Sequence, residues 1–172
     1  MKNVNVLNAL MRCRNTDDNF RPEIASPHYF KMPNGQLVLF STNGHILLVV
    51  KNTAGLMTEC NFDEVSTPNI ASAIPTDPCN SSLSLTDLSI ALRKIGRACW
   101  DLRASAIEIE GVHLLAANAE LLESVLLDLG IEGSVPMACS MLVPTKIKIE
   151  TDDFLIVQAG MFTDDKTHII KL

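Results

Sequence analysis

The sequence has no apolar run long enough for a membrane and no paired cysteines. None of its apolar stretches reaches the roughly 18 residues of a membrane-spanning helix. Its first residues, Met1 to Asn5, lack the apolar segment of a signal peptide. The five cysteines form no C-x-x-C pair, and an odd number argues against a disulfide framework. We therefore expect a cytoplasmic protein without membrane contact, whose thiols are reduced and mostly buried.

Motifs for metal, phosphate and nucleophilic chemistry are also missing. The four histidines have no i,i+4 or C-x-x-C partner, and the glycines form no phosphate-binding loop. Asp152-Asp153 and Asp164-Asp165 are typical of turns rather than of cation sites. A cysteine nucleophile is conceivable at Cys99, yet that residue lies on the apolar stripe of a predicted helix, where a buried thiol is expected. The sequence thus predicts no cofactor, no metal and no catalysis, and a small cysteine-dependent hydrolase is disfavoured.

Positive charge is scarce as well. The formal net charge is −6, whereas a protein that coats nucleic acid is normally basic. This balance leaves room for a local contact with DNA. The 172 residues, 47% hydrophobic and 20% charged, suit a soluble globular chain of one domain or slightly more.

Two Asn-Gly pairs organise the first third of the chain. Asn34-Gly35 and Asn43-Gly44 lie nine residues apart, and each favours a type I′ hairpin turn. They predict a three-stranded antiparallel meander over Pro27–Met32, Gln36–Thr42 and His45–Lys51. The third strand is apolar at nearly every position, so we expect both of its faces to be covered.

The rest of the chain alternates between helical and strand patterns. Helical spacing is found at Val6–Met11, from a cap at Thr86 to about Leu102, and from a cap at Asn118 to a stop at Gly130. Strands are predicted over residues 104–110, 112–117, 135–142, 145–150, 154–161 and 167–172. Prolines and small polar residues indicate a linker over residues 67–83. The expected class is α+β, with antiparallel sheets, two or three helices and a loose internal repeat of helix plus strand meander.

Five segments resemble, in the family's order, the bacterial DNA polymerase III beta subunit, the sliding clamp. Ser41–Leu47, STNGHIL, resembles the family's A-T-D-G-H-R-L signature. The other four are Asn8–Leu10 with the loop Asp17–Pro22, the linker-like Asn69–Pro75, the helix Asn118–Leu126 and the strand Phe154–Met161. The resemblance implies a DNA-clamp-like fold in abbreviated form. Residues 1–66 would form a clamp-like N-terminal half, 67–83 the linker and 84–172 a clamp-like C-terminal part.

The resemblance also implies a pocket that binds a short peptide of a partner protein. The matching positions are Ile24, Thr42, Gly44, His45, Ile46, Leu47, Pro75, Ile156 and Gln158. Two of them depart from the family, because Ile46 replaces an arginine and Gln158 stands where methionine is usual. The loss of that arginine favours a more hydrophobic peptide. The alternative is that Asn43-Gly44-His45 is only a hairpin turn.

Basic residues on the predicted helices suggest a second surface. By the resemblance, Arg12, Arg14, Arg93, Lys94 and Arg97 would lie near duplex DNA and contact phosphates without sequence specificity. The alternative is a solvated helix face.

The function implied is that of a non-catalytic, sliding-clamp-like replication accessory protein. Its partners would be replication proteins such as a DNA polymerase, bound through a short peptide motif, and it would encircle double-stranded DNA as a homo-oligomer. The alternative is a protein-binding module of the same fold that forms no ring, from a phage or mobile element.

Overall fold

A computed structural model describes residues 3–16, 21–53, 56 and 69–172. Some predicted features lie outside these ranges: the first four residues of the loop Asp17–Pro22, the thiol of Cys60 and the Thr67-Pro68 start of the linker. The described helices are α1 (Asn3–Cys13), α2 (Leu85–Arg97) and α3 (Ala116–Asp128). The strands are β1 (His28–Lys31), β2 (Leu37–Thr42), β3 (Ile46–Val50), β4 (Ser81–Ser84), β5 (Ser105–Ile109), β6 (Val112–Leu115), β7 (Ser134–Ser140), β8 (Lys146–Glu150), β9 (Phe154–Ala159) and β10 (His168–Lys171).

The strands form two sheets. The larger has seven antiparallel strands in the order β1-β2-β3-β9-β8-β7-β4. The smaller has the order β10-β5-β6, in which β10 runs parallel to β5. The predicted α+β class with three helices and antiparallel sheets is confirmed, and β10 is the parallel exception. Strand β4 begins inside residues 67–83, the predicted linker, and ends one residue beyond it.

The larger sheet is covered on both faces. Strand alternation directs Ile46, Leu48 and Val50 into the main core with the three helices. Leu47 and Val49 point the opposite way, into a second cluster with Val38, Phe40, Ile70, Leu155 and Val157. All five residues of β3 are therefore buried, as its apolar run predicts.

Both hairpin turns form at the predicted positions, but neither is of type I′. That type needs a positive φ at both central residues, and in each described pair only the glycine has one, +86° at Gly35 and +90° at Gly44. The amide hydrogen bond from Gly35 to the Met32 carbonyl (2.8 Å) closes a turn ahead of the left-handed glycine. The Asn43 side chain accepts the amides of His45 and Ile46, at 2.9 and 3.0 Å. Asn43 therefore stabilises the second turn through its side chain and does not adopt a positive φ.

Helix α2 begins and ends earlier than the sequence predicts. Its cap is Ser84, whose hydroxyl accepts the amide of Asp87 at 3.2 Å, rather than Thr86. It ends at Arg97, because Cys99 adopts a φ of +55° and turns the chain away. Cys99 is therefore exposed rather than buried on a helical stripe. Of the other described cysteines, Cys13 is buried and Cys79 and Cys139 are half-buried.

Helix α3 starts at Ala116, two residues before the predicted cap Asn118, and no side chain caps it. Its end is as predicted: Gly130 has a φ of +74° and donates its amide to the Leu127 carbonyl at 2.9 Å. No described helix has the length and apolar character needed to cross a membrane.

Candidate functional site

A groove of about 340 Å³ lies beside the second hairpin, on the face of the larger sheet opposite the helices. Three parts of the chain form it: the hairpin, the turn around Ile70 and the ends of two neighbouring strands. Its lining residues are Thr42, Gly44, His45, Ile46, Leu47, Asn69, Ile70, Ala73, Pro144, Lys146, Val157 and Ala159. This volume lies at the lower end of the range for ligand pockets.

The floor of the groove is apolar. Leu47 and Val157 are directly opposite each other in the β3–β9 pairing, and each is 6% exposed. Ile70, only 3% exposed, packs beside them from the turn that crosses this face. A floor of aliphatic side chains favours an apolar ligand group through burial.

The hairpin that forms one wall is fixed by its own hydrogen bonds. The hydroxyl of Thr42 donates to the Ile46 carbonyl at 2.7 Å and accepts the amide of Gly44 at 3.1 Å. The carbonyl of His45 accepts the amide of Ala159 at 2.8 Å and the side-chain amide of Gln158 at 3.0 Å. The His45 side chain is thereby left exposed at the rim.

The opposite wall is a short 3-10 turn held by polar contacts. Asn69 caps this turn, Ile70–Ala73, by accepting the amide of Ala71 at 3.2 Å. Lys146, at the start of β8, donates its Nζ to the Ala73 carbonyl at 3.0 Å and so ties the turn to the sheet. The wall thus carries a cationic group at the edge of an apolar floor.

The structure brings together the predicted residues of the hairpin but not the others. Thr42, Gly44, His45, Ile46 and Leu47 all line the groove. The side chain of Ile46 belongs mainly to the helix-side core, because it alternates with Leu47 along β3.

Four predicted pocket residues, Ile24, Pro75, Ile156 and Gln158, do not line the groove. Ile156 and Gln158 are fully buried, and Ile156 belongs to the helix-side core because the pleat directs it away from the groove. Val157 and Ala159, the neighbouring residues on β9, line the groove instead of Ile156 and Gln158. Gln158 instead supports the hairpin backbone.

Ile24 and Pro75 lie elsewhere for different reasons. Ile24 is buried in a separate turn, where its carbonyl accepts the amide of Asn15 at 3.0 Å. Pro75 follows the 3-10 turn, which ends at Ala73 and presents Ile70 and Ala73 to the groove in its place. Ile70 and Ala73 lie in the predicted linker, whereas Pro144 and Lys146 carry no sequence signal that marks them for this site.

A guanidinium lies beside the hairpin although position 46 is isoleucine. A β-carbon on Gly44 would lie 3.7 Å from Nη1 of Arg21. The rim is therefore flanked by two cations, Arg21 at the hairpin and Lys146 at the far wall.

The five basic residues proposed to approach DNA lie on the helical side of the molecule. Arg93, Lys94 and Arg97 are exposed on α2. Arg12 forms an ion pair with Asp128 of α3, and Arg14 follows α1. Helix α3, which packs against both other helices, carries the acidic residues Glu120, Glu123 and Asp128 and no basic one. The helical layer is thus mixed in charge.

Nothing in the described ranges indicates a metal centre. No three histidine, cysteine, aspartate or glutamate side chains of those ranges come together in a geometry that suits an ion. Two thiols are less reactive than usual because burial keeps them protonated. Burial raises the pKa of Cys13 to about 12 and that of Cys139 to about 11.

Comparison with solved structures identifies proteins of similar architecture. The chain is similar to DNA polymerase III subunit beta from Borrelia burgdorferi, solved with a natural product, with a TM-score of 0.66 and 13% identity over 94% of this chain and 62% of that chain. The putative beta subunit from Eubacterium rectale gives a TM-score of 0.57 and 10% identity, covering 94% and 64%. The beta subunit from Thermotoga maritima gives 0.55 and 9%, covering 95% and 64%.

Sequence comparison adds no further relative, because no family model and no curated protein matches the chain. The chain spans less than two thirds of the length of each solved protein named above. The structural similarity recurs among several of these subunits, and it establishes the fold although sequence identity is low. The chain has the fold of the bacterial DNA polymerase III beta subunits, the sliding clamps.

Proposed function

We propose that this chain is a non-catalytic accessory protein of DNA replication that binds a short peptide of a partner, such as a DNA polymerase, in the groove beside the second hairpin. One observation carries the proposal: Thr42, Gly44, His45 and Leu47 line an apolar groove in a chain with the sliding-clamp fold. The cytoplasm, where replication proteins occur, is its proposed location. Residues 1–66 and 84–172 are proposed as its two clamp-like parts.

The groove suits a peptide with one or two apolar side chains and a nearby acidic group. Its volume of about 340 Å³ accommodates that much apolar bulk over Leu47 and Val157. Arg21 and Lys146 flank the floor and favour a carboxylate on the ligand. We expect a dissociation constant of about 10 µM, since so small a contact must also offset the cost of association.

The test uses a pair of variants within one turn. Ala73→Arg places a long cationic side chain in the groove, whereas Ala71→Arg makes the same change two residues earlier, at a position that does not line it. Nonapeptides selected from a phage-displayed random library against the wild-type protein are titrated by fluorescence anisotropy. We expect Ala73→Arg to weaken binding at least about tenfold and Ala71→Arg to change it less than about twofold. Equal binding by both variants would remove the groove from the account.

Two versions of this role differ in their use of the helical layer. In the ring version, several copies encircle duplex DNA and Arg93, Lys94 and Arg97 contact its phosphates. In the second version the protein binds partners without forming a ring, as a phage or mobile-element module would. The acidic residues of α3 favour the second version, because Glu120 and Glu123 would repel phosphates beside the basic residues of α2.

DNA binding distinguishes the two versions. The ring version predicts weak, sequence-independent binding that falls steeply with salt and is lost when Arg93, Lys94 and Arg97 become glutamate. The non-ring version predicts no measurable affinity for duplex DNA at physiological salt.

A further inference from the structure

The four most exposed large apolar side chains of the described residues, here called the apolar patch, lie at one end of the larger sheet. Met141, Leu142 and Val143, which follow β7, are 58%, 79% and 77% exposed. Phe162, which follows β9, is 84% exposed. The next in rank among the described residues is Leu127 of α3, at 56%. Such a concentration of exposed apolar surface typically marks a site of interaction.

The strand pairing brings the two parts of the apolar patch to the same end of the sheet. Ser140 pairs with Lys146 across the β7–β8 hairpin, and Lys146 pairs with Ala159 at the end of β9. The residues after β7 and those after β9 therefore emerge side by side. A cavity of about 220 Å³ lies there, lined by residues of both segments, among them Pro144 and Phe162. Phe162 thus forms part of a concave surface.

Pro144 connects this cavity with the groove, because it lines both. Neighbouring residues divide between the two concave surfaces. Lys146 and Ala159 line the groove, whereas Thr145 and Gly160 line the cavity. A polypeptide in the groove can therefore continue past Pro144 and reach the apolar patch.

The turn after Phe162 gives the apolar patch an acidic border. Asp164 and Asp165 are both exposed, and the base Lys166 follows them. The Asp164 carboxylate accepts the Thr167 hydroxyl at 2.9 Å and the Lys166 amide at 3.0 Å. The hydrogen bond from Thr167 and, to a smaller extent, that from the Lys166 amide hold the pKa of Asp164 below its ordinary value. Asp164 therefore remains ionised at neutral pH.

A third carboxylate lies near Met141. A β-carbon on Gly111 would lie 3.5 Å from Cε of Met141, so the β5–β6 turn contacts the apolar patch. The residue before Gly111 is the exposed Glu110, whose carboxylate accepts the Ser81 hydroxyl at 3.0 Å. Acidic groups in both segments favour lysine or arginine in the ligand. They disfavour a lipid surface, whose cytoplasmic side carries anionic lipids.

We propose that the apolar patch binds a second segment of the same partner protein whose short peptide occupies the groove. This segment carries apolar side chains beside lysine or arginine. The groove peptide instead carries an acidic group, because Arg21 and Lys146 flank the groove. The inference rests on the proposed function, since the groove supplies the first contact. Two linked contacts bind more tightly than either alone, because the second becomes intramolecular once the first has formed.

Extended peptides test the second contact. The library-selected nonapeptide is displayed again with random extensions of about ten residues at either end, which reach about 33 Å when fully extended. Selection against the wild-type protein is expected to enrich apolar residues together with lysine and arginine in the extension. We expect the selected extended peptides to bind at least about tenfold more tightly than the nonapeptide in fluorescence anisotropy.

Two double variants assign this gain to the apolar patch. Leu142→Asp with Phe162→Asp should remove the gain and leave the affinity of the nonapeptide within about twofold of the wild type. The control, Leu37→Asp with Leu127→Asp, makes a similar change at exposed leucines that line neither concave surface, and it should keep the gain. Circular dichroism confirms that both variants are folded.

The groove and the second contact fail in different ways. Nonapeptide binding that is insensitive to Ala73→Arg contradicts the groove. Nonapeptide binding that is sensitive to Ala73→Arg, combined with extensions that add less than about twofold, overturns the second contact alone. A gain that survives Leu142→Asp with Phe162→Asp, or selected extensions without lysine or arginine, also overturns it.

Two further measurements examine other occupants of the apolar patch. Sedimentation equilibrium of the wild type and of Leu142→Asp with Phe162→Asp detects a second copy of the chain. Flotation with vesicles of phosphatidylcholine and phosphatidylserine detects a lipid surface. We expect the same mass for both proteins and flotation of neither. Association or flotation that the double variant abolishes would assign the apolar patch to that occupant and overturn the proposal.

Discussion

Gly160, which follows β9, should not tolerate even a methyl group. A β-carbon there would lie 2.9 Å from Cγ1 of Val112 and 3.1 Å from the carbonyl oxygen of Thr145, and closer still to the Thr145 hydroxyl. Real β-carbons essentially never lie within 3.0 Å of another heavy atom. The Thr145 hydroxyl can rotate away, but the Val112 methyl belongs to a fully buried side chain and the carbonyl is held by the Gly160 amide at 2.8 Å.

The expected cost follows from this crowding. Overpacking of this kind typically destabilises a protein by about 1–3 kcal/mol, so Gly160→Ala should lower the free energy of unfolding by roughly 2 kcal/mol. The matched control is Gly96→Ala in α2, where nothing lies within 4 Å of the added carbon. Alanine is the better helix former, so that change should stabilise the protein by up to about 1 kcal/mol.

Urea unfolding followed by circular dichroism measures both changes. The midpoint should fall for Gly160→Ala and rise for Gly96→Ala, with the slope of the transition unchanged in both. A Gly160→Ala protein as stable as the wild type would refute the packing of β9 and β6 against Thr145. It would also question the placement of Ala159, the neighbouring residue that lines the groove.

Two further predictions concern the hairpin and the effect of pH. Gly44→Ala should destabilise the protein by about 1 kcal/mol in urea unfolding, because its φ of +90° disfavours a β-carbon although the nearest atom is 3.7 Å away; an unchanged midpoint would contradict the turn geometry. Burial lowers the pKa of His28 below its ordinary value of 6.5, and the nearby Glu23 backbone raises that pKa by a smaller amount. The unfolded chain then binds the proton more readily, so the His28 contribution to stability is complete above pH 6.5 and is lost as the pH falls toward the folded-state pKa. His28→Phe should remove that part of the pH dependence, and equal slopes for both proteins would contradict it.

The sequence predicts the local elements well because turn chemistry and side-chain alternation are local signals. Asn34-Gly35 and Asn43-Gly44 locate both turns, and alternation along the C-terminal strands places β5 to β10 within a few residues. The predicted turn type is wrong because the Asn43 side chain accepts the amides of His45 and Ile46. The turn therefore forms without a left-handed backbone at Asn43. That choice leaves no trace in the dipeptide itself.

The misplaced features depend on contacts that are distant in sequence or on an unusual residue at a usual position. The end of α2 is closed by Cys99 in the conformation that glycine normally supplies, with the Trp100 amide bonded to the Ile95 carbonyl at 3.2 Å. The apolar stripe of the sequence continues through Cys99 to Leu102, so it extends the predicted helix too far. Strand β4, SSLS, lacks β-branched and aromatic residues and exists through its pairing with β7.

The sequence predicts only the part of the groove that is contiguous in the chain, because the other parts are brought together by distant contacts. One stretch of sequence, Thr42 to Leu47, supplies its first wall. Which residues of β9 complete the floor depends on the register that sets Leu47 opposite Val157, and a shift of one residue exchanges Val157 for Ile156. Lys146 and Ala73 meet only through the fold.

The most direct test of the central claim is a map of amide chemical-shift changes by nuclear magnetic resonance as a library-selected peptide is added. The account predicts that the changes concentrate on the groove, at residues 42–47, 69–73, 144–146 and 157–159, and that they reach half of their maximum at the dissociation constant measured by anisotropy. Helices α2 and α3 should show little change. Saturable changes confined to the helices, or spread evenly over the protein, would contradict the proposal that this groove is the partner-binding site.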